Sequence, residues 1–235
     1  MKKVLGIDTS SIVATVAVAE ETRLIAEYYI ESEKNHSEKL IPVIKAMLEE
    51  CGLQPTCIDA VAVAKGPGSF TGLRIGVVTA KGFAFASNIP IIGINTLDGL
   101  AYNAAIFGGL ICPILNALRG NVYTALFRSK NGGIERLSEY KVLHIDDVLK
   151  RVDEYGEPVV FLGDGVPLFR SEIKRVLGNN AKIAPPMLFM PRASSIAALG
   201  IEGLKRGEGE SAFSLMPFYL RKSQAEIQLE RKKGR

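Results

Sequence analysis

The sequence predicts an α/β protein of two domains, each built on a mixed β-sheet flanked by helices. The 235 residues are 47% hydrophobic and 23% charged, enough for packed cores at a length that fits one large domain or two small ones. A run of three strands followed by a helix occurs twice, and Gly108 and Gly109 lie between the copies. We therefore predict domains at residues 1–108 and 109–221, followed by a basic tail at 222–235.

In the first half, short apolar runs joined by polar turns predict a meander of three strands. A helix capped by Ser37 follows, and then strands and helices alternate. The predicted strands are Val4–Asp8, Ala14–Ala19, Arg23–Ile30, Ile58–Ala64 and Ile91–Ile94, and the predicted helices are Ser37–Cys51, Gly72–Ser87 and one after Asn95.

The second half repeats this order of elements without repeating the residues. Each half is therefore expected to form an α/β domain with one mixed sheet between helices, and a cleft is expected where the two domains meet. The predicted strands are Ile111–Leu115, Val122–Arg128, Glu135–Leu143, Val159–Leu162 and Lys182–Ala184, and the predicted helices are Ile145–Val152, Val166–Leu177 and Ala193–Arg206.

Composition argues against several classes of protein. Cys51, Cys57 and Cys112 are odd in number and lack CxxC spacing, so neither a disulfide framework nor a zinc site is indicated. Apolar runs are soon interrupted by Gly, Pro or charge, so we expect a cytoplasmic protein without a membrane span. Much of the net charge of +4 lies in the tail, which could contact nucleic acid or an acidic partner, although we favour a tail that is simply solvated.

A glycine-rich loop, Gly66–Gly72, leads from a buried strand into a helix. Such a turn presents backbone N–H groups and the positive end of a helix to an anion, but this loop lacks the lysine of a Walker motif. Glycines that supply unusual backbone dihedrals explain the loop at least as well as phosphate binding does.

The helix after this loop is apolar nearly all the way round, which is not expected of a surface helix. One face must meet its own sheet, and the other could be covered by the second domain or by a partner subunit. We favour the partner, because a small residue at every fourth position would let another helix pack closely. The row consists of Gly72, Gly76, Ala80 and Ala84.

Two further polar turns follow predicted strands. Asp8 and the hydroxyl residues Thr9 and Ser10 could face a phosphate or a metal-bound water, and Gly163–Gly165 could line a ligand cleft. Ordinary Asx turns and helix caps explain both segments equally well. The two histidines, His36 and His144, fall in different predicted domains, and we find no assembled catalytic site.

Several segments resemble the TsaB (YeaZ) family. The most specific is Gly66–Arg74, with the sequence GPGSFTGLR, and Leu5–Ser10 and His36–Pro42 add to it. The supporting matches are Asn95–Leu97, Asn121–Tyr123 and Pro217–Arg221, so the resemblance covers nearly the whole chain.

This resemblance implies an actin-like (RNase H-like, ASKHA) fold and a non-catalytic role. Members of the family pair with the catalytic paralogue TsaD, are joined by the ATPase TsaE, and form homodimers without TsaD. The complex transfers threonylcarbamoyl from threonylcarbamoyl-AMP to the tRNA adenosine beside the anticodon, so tRNA would be contacted indirectly. Mapped onto this chain, the partner interface is Leu40, Ile44, Met47, Leu48, Gly72, Arg74, Ile75, Gly76, Val78, Thr79, Ala80 and Phe83.

No metal and no cofactor are expected. The two metal-binding histidines of TsaD correspond to Thr96 and Leu100, which are not plausible ligands, and Asn116 replaces an acidic residue that relatives often have. The alternative function is an ATP-dependent small-molecule kinase or a TsaD-like hydrolase. A degenerate nucleotide cleft would be lined by Asp8, Thr9, Ser10, Gly66, Gly68, Asn116, Gly163, Asp164 and Gly165.

Overall fold

The computed structural model describes residues 1–31 and 36–221, without the side chains of residues 36 and 37. The predicted basic tail, 222–235, and the predicted cap Ser37 therefore lie outside what is described. In the described ranges, two β-sheets flanked by helices follow one another along the chain. None of the described helices is both long enough and apolar enough to cross a bilayer.

The first sheet has five strands in the order β3-β2-β1-β4-β5. Strands β1, β2 and β3 form the predicted antiparallel meander, and β1 pairs in parallel with β4, as β4 does with β5. The strands are β1 (Val4–Asp8), β2 (Val13–Glu20), β3 (Arg23–Glu31), β4 (Ala60–Gly66) and β5 (Ile91–Asn95).

Alternation along β1 and β4 divides the first sheet between two hydrophobic clusters. Leu5, Ile7 and Val63 pack with helices α1 (His36–Glu50) and α2 (Phe70–Ser87) on one face. The other face carries mainly small side chains, including those of the alanines of β4, and is covered by a helix from the far end of the chain.

That helix, α6 (Ala193–Lys205), belongs by sequence order to the predicted second domain, yet it packs on the first sheet. Glycine makes this close contact possible, because a β-carbon at Gly200 would clash with Ala62. The amino end of α6 is held by the buried carboxylate of Glu27 on β3, which accepts hydrogen bonds from the backbone and hydroxyl of Ser194 at 3.0 and 2.9 Å and pairs with Arg192.

The second sheet repeats the order and direction of the first along its main path, β10-β7-β6-β11-β12, and β8 and β9 extend from β6. Helices α4 and α5 pack against its core, and α3 connects the halves. The strands are β6 (Leu110–Asn116), β7 (Asn121–Thr124), β8 (Phe127–Lys130), β9 (Gly133–Arg136), β10 (Lys141–His144), β11 (Val159–Leu162) and β12 (Ala181–Ile183); the helices are α3 (Thr96–Tyr102), α4 (Ile145–Asp153) and α5 (Val166–Leu177).

Two predicted strands are each divided in the structure. The predicted strand 122–128 becomes β7 and β8, which pair with β6 in one register, and the break falls opposite Pro113. Proline has no N–H to donate to the ladder there. Leu126 instead receives a hydrogen bond from the Leu137 N–H at 2.7 Å and donates to Ser138 Oγ at 2.8 Å. The predicted strand 135–143 is interrupted at the same bend, between β9 and β10.

Candidate functional site

The glycine-rich loop packs directly on the turn that follows β1. The Ser69 N–H donates to the Ser10 carbonyl oxygen at 2.7 Å. A β-carbon at Gly68 would clash with that same carbonyl, and one at Gly72 would clash with the carbonyl of Thr9. Only glycine fits at these two positions, because the glycine-rich loop lies so close to the turn after β1.

Side-chain hydrogen bonds fix the start of α2 on the same turn. The Thr9 hydroxyl donates to the Gly72 carbonyl oxygen at 2.7 Å, and a β-carbon at Gly76 would meet that hydroxyl. Ser69 caps the helix by accepting from the Gly72 N–H at 3.2 Å. Gly66, at φ +120°, leaves room for the Phe218 carbonyl, and the Phe218 N–H donates to the backbone carbonyl oxygen of Lys65 at 2.6 Å.

Asp8 lies at the centre of this turn and is almost fully buried. Its Oδ1 accepts from the N–H and the hydroxyl of Ser10 at 2.8 and 2.6 Å. Its Oδ2 is buried and has no hydrogen-bond partner in the described part of the chain. Burial raises the pKa of Asp8 to about 6, because the charged carboxylate loses its hydration, although the Ser10 hydrogen bonds oppose the shift.

The predicted cleft residues of the second half form a similar internal turn. Asp164 Oδ1 accepts from the Asn116 N–H at 2.7 Å, and burial raises the pKa of Asp164. Gly163 has φ +114°, and a β-carbon there would clash with the Ile114 carbonyl, which accepts from the Gly165 N–H at 3.1 Å. In both halves the predicted cleft residues have clear structural roles, and a nucleotide site stays a prediction.

The predicted interface residues of α1 lie on the side of the helix that faces its own domain. Leu40, Ile44, Met47 and Leu48 are buried in the core beneath the first sheet. The apolar stripe of α1 faces its own domain, because the meander and β4 offer it an apolar surface. These four side chains are therefore unavailable to a partner in this structure.

The small-residue row of α2 also faces inward. Gly72, Gly76, Ala80 and Ala84 are all buried, and the two glycines lie against the turn after β1. In the described chain the row packs against its own domain, so its place at a partner interface stays a prediction. The spacing of small residues identified a close contact but not the surface that makes it.

The remaining predicted residues of α2 lie toward solvent or at the boundary. Arg74 and Val78 are exposed, and Ile75, Thr79 and Phe83 are half-buried.

Two exposed aromatic residues were missing from the predicted interface. Phe85, on α2, is 66% exposed and makes an edge-to-face contact with Phe213, itself 75% exposed, at 5.4 Å between ring centroids. Phe85 could have been found from its spacing of seven residues from Val78. Nothing in the sequence placed Phe213 beside α2. We call Val78, Gly82, Phe85 and Phe213 the α2 surface.

Aromatic contacts also join the C-terminal segment to the start of α2. Tyr219 stacks on Phe70 at 4.8 Å, the Arg74 guanidinium lies 4.0 Å from the centroid of Phe70, and its Nε donates to the Tyr219 hydroxyl at 3.3 Å. These contacts hold the end of the described chain against the first turns of α2.

Thr96 and Leu100, which the family resemblance placed at the positions of two metal-binding histidines, are both fully buried in α3. Among the described residues, no three His, Cys, Asp or Glu side chains come together as a candidate metal site.

Comparison with known proteins identifies the family. The family model for TsaD, tRNA N6-adenosine threonylcarbamoyltransferase, matches residues 24–229. The tRNA threonylcarbamoyladenosine biosynthesis protein TsaB of Bacillus subtilis is 40% identical over 223 residues, covering 95% of this chain and 96% of that protein. The chain belongs to the TsaB family. TsaB of Escherichia coli is 28% identical, with 95% of this chain and 96% of that protein covered.

Solved structures agree with this assignment. YeaZ from Pseudomonas aeruginosa superposes with a TM-score of 0.79 at 25% identity, covering 94% of this chain and 100% of that one. The fold is therefore the actin-like pair of mixed sheets that the sequence predicted. The family relationship supports a role in tRNA threonylcarbamoyladenosine biosynthesis.

Proposed function

We propose that the chain is a non-catalytic subunit that binds a TsaD-family transferase and holds it in an active arrangement. In this role it serves the transfer of threonylcarbamoyl from threonylcarbamoyl-AMP to the tRNA adenosine beside the anticodon, with the ATPase TsaE as a third component. The observation that carries the proposal is the exposed apolar α2 surface.

The α2 surface has the character of a protein contact. Val78, Phe85 and Phe213 are 67%, 66% and 75% exposed, although full burial of one such side chain is worth about 1.5–3 kcal/mol. Gly82 lies between Val78 and Phe85, and apart from its neighbours and its own helix backbone no atom lies within 4 Å of the place where a β-carbon would be, so the backbone of another helix could approach there. A homologous actin-like domain offers such a helix. The same surface would form a homodimer when the transferase is absent.

The packing of the glycine-rich loop supports a non-catalytic role. Gly68 and Gly72 accommodate the chain's own carbonyl groups, a role that does not call for a phosphate. Among the described residues, no group has a geometry specific to the alternative, a kinase or a hydrolase. Calorimetry with ATP and Mg²⁺ tests it, because micromolar binding with turnover would contradict the non-catalytic assignment.

The interface is tested by mixing the chain with its cognate TsaD-family transferase and measuring mass by size exclusion with light scattering. We expect a heterodimer that Val78→Glu and Phe85→Glu each weaken by at least about tenfold in Kd, because a carboxylate would be buried against an apolar partner. Neither change enters the core, since both side chains are exposed.

Leu168→Glu is the matched control. Leu168 is exposed on α5 in the other half of the molecule. The variant therefore adds the same charge and removes a similar apolar side chain at a place away from the α2 surface. Equal effects of all three variants, or a heterodimer insensitive to all of them, would place the interface elsewhere.

A further inference from the structure

A second surface feature lies in the other half of the molecule. A groove of about 540 Å³ opens beside the edge strand β12, α5 and the segment that precedes β6. Arg170 and Lys174 from α5 and Lys182 from β12 line it, together with Phe107. We call this the basic groove.

The positive charges of the basic groove have no acidic neighbour among its described lining. No acidic side chain is among the described residues that line it. Within the described ranges, the three cations make no hydrogen bond or ion pair, whereas Arg128 pairs with Glu157 and Arg206 with Glu208. Three like charges around one groove repel one another unless an anion enters, so the groove favours an anionic ligand.

Structural roles explain only part of this arrangement. A lysine on an edge strand discourages the strand from pairing with another chain, and this could account for Lys182. It does not account for Arg170 and Lys174, which are one turn apart and therefore point from the same side of α5. Ile173, between them in sequence, is fully buried and anchors the helix, so the cations are held at the surface by the core beneath.

An exposed aromatic ring accompanies the cations. Phe107 is 47% exposed and follows Ile106, which is 86% exposed. A positive groove beside an exposed ring is the combination by which proteins hold unpaired nucleotides, since cations contact the phosphates and a base stacks on the ring.

We propose that the basic groove binds the phosphate backbone of RNA, with Phe107 as a stacking surface for an unpaired base. The inference rests on the proposed function, in which the assembled complex acts on tRNA, and it adds a direct contact between this chain and that RNA.

The test measures binding of a full-length tRNA transcript by fluorescence anisotropy, both to this chain alone and to its mixture with the transferase, across a salt titration. We expect Lys174→Glu to weaken tRNA binding about tenfold. It should also reduce the magnitude of the slope of log association constant against log salt concentration by about one, as the loss of a phosphate contact requires. Phe107→Ala should weaken binding with no change in the slope.

Arg175→Glu is the matched control, because Arg175 is also in the last turn of α5 and is exposed but does not line the groove. It makes the same change in net charge and has the same relation to the helix dipole. Equal weakening by Lys174→Glu and Arg175→Glu would show diffuse attraction and overturn the inference, as would no weakening by Lys174→Glu. Complete displacement of the RNA by millimolar inorganic phosphate would indicate a small-anion site instead.

Size exclusion of the same mixtures separates this inference from the proposed function. An intact heterodimer whose affinity for tRNA is unchanged by the groove variants would overturn only the RNA contact. A wild-type chain that forms no heterodimer, but binds tRNA through Lys174, would overturn only the scaffold role.

Discussion

Asp8 is the residue whose environment makes the clearest prediction about pH. Its folded-state pKa is about 6, against an ordinary value of 3.8, so the folded protein holds this proton more tightly than the unfolded chain. Stability from this group is therefore fully present below about pH 4 and is lost as pH rises through about 6. A shift of this size corresponds to about 3 kcal/mol.

Asp8→Asn removes the titration while keeping an oxygen for the Ser10 hydrogen bonds. We expect its free energy of unfolding, relative to wild type, to improve steadily between about pH 4 and 6 and to level off above. Urea denaturation at a series of pH values measures this difference. A difference that does not change with pH would mean that Asp8 keeps an ordinary pKa in the folded protein.

Two of the three glycines of helix α2, Gly76 and Gly82, lie in opposite environments because they are on opposite sides of the helix. Gly76 faces inward, where a methyl group would meet the Thr9 hydroxyl, so Gly76→Ala should destabilise the fold by roughly 1–3 kcal/mol. Gly82 faces outward with nothing within 4 Å, so Gly82→Ala should stabilise the free chain by about 0.5–1 kcal/mol through helix propensity.

Thermal unfolding of the two variants checks these opposite signs, and each variant is the other's control. If Gly76→Ala stabilised the fold and Gly82→Ala destabilised it, α2 would be rotated about its axis relative to this structure. Heterodimer formation gives an independent measurement, since a methyl at Gly82 should hinder the close approach of a partner helix and one at Gly76 should not.

At the scale of the whole molecule, α6 joins the end of the chain to the first sheet. A fragment of residues 1–108 would leave the apolar face of Ala60, Ala62 and Ile92 uncovered, because α6 supplies that cover. We expect this fragment to aggregate or to give a poorly dispersed amide spectrum. Fusion of residues 191–221 through a flexible linker should restore cooperative unfolding.

The same fusion with Gly200→Leu is the control, since no side chain fits between Gly200 and Ala62. A fragment of residues 1–108 that folds cooperatively without α6 would show that the first half is an independent unit.

Local sequence patterns determined the kind and order of most elements. Alternating apolar residues, glycine-rich turns and helix caps act within a few residues, so they predict β1 to β5 and the principal helices without knowledge of the rest of the chain. The family resemblance added the arrangement of two actin-like halves, which the structure and its relatives confirm.

Only the tertiary structure decided which face of each helix is free. The apolar residues of α1 and the small residues of α2 match a partner helix and the chain's own domain equally well, and in this structure they are buried against the chain's own first sheet and the turn after β1. The edge-to-face pair of Phe85 with Phe213 and the basic groove unite residues far apart in sequence. Periodicity describes one element at a time, whereas an exposed surface depends on what every other element has already covered.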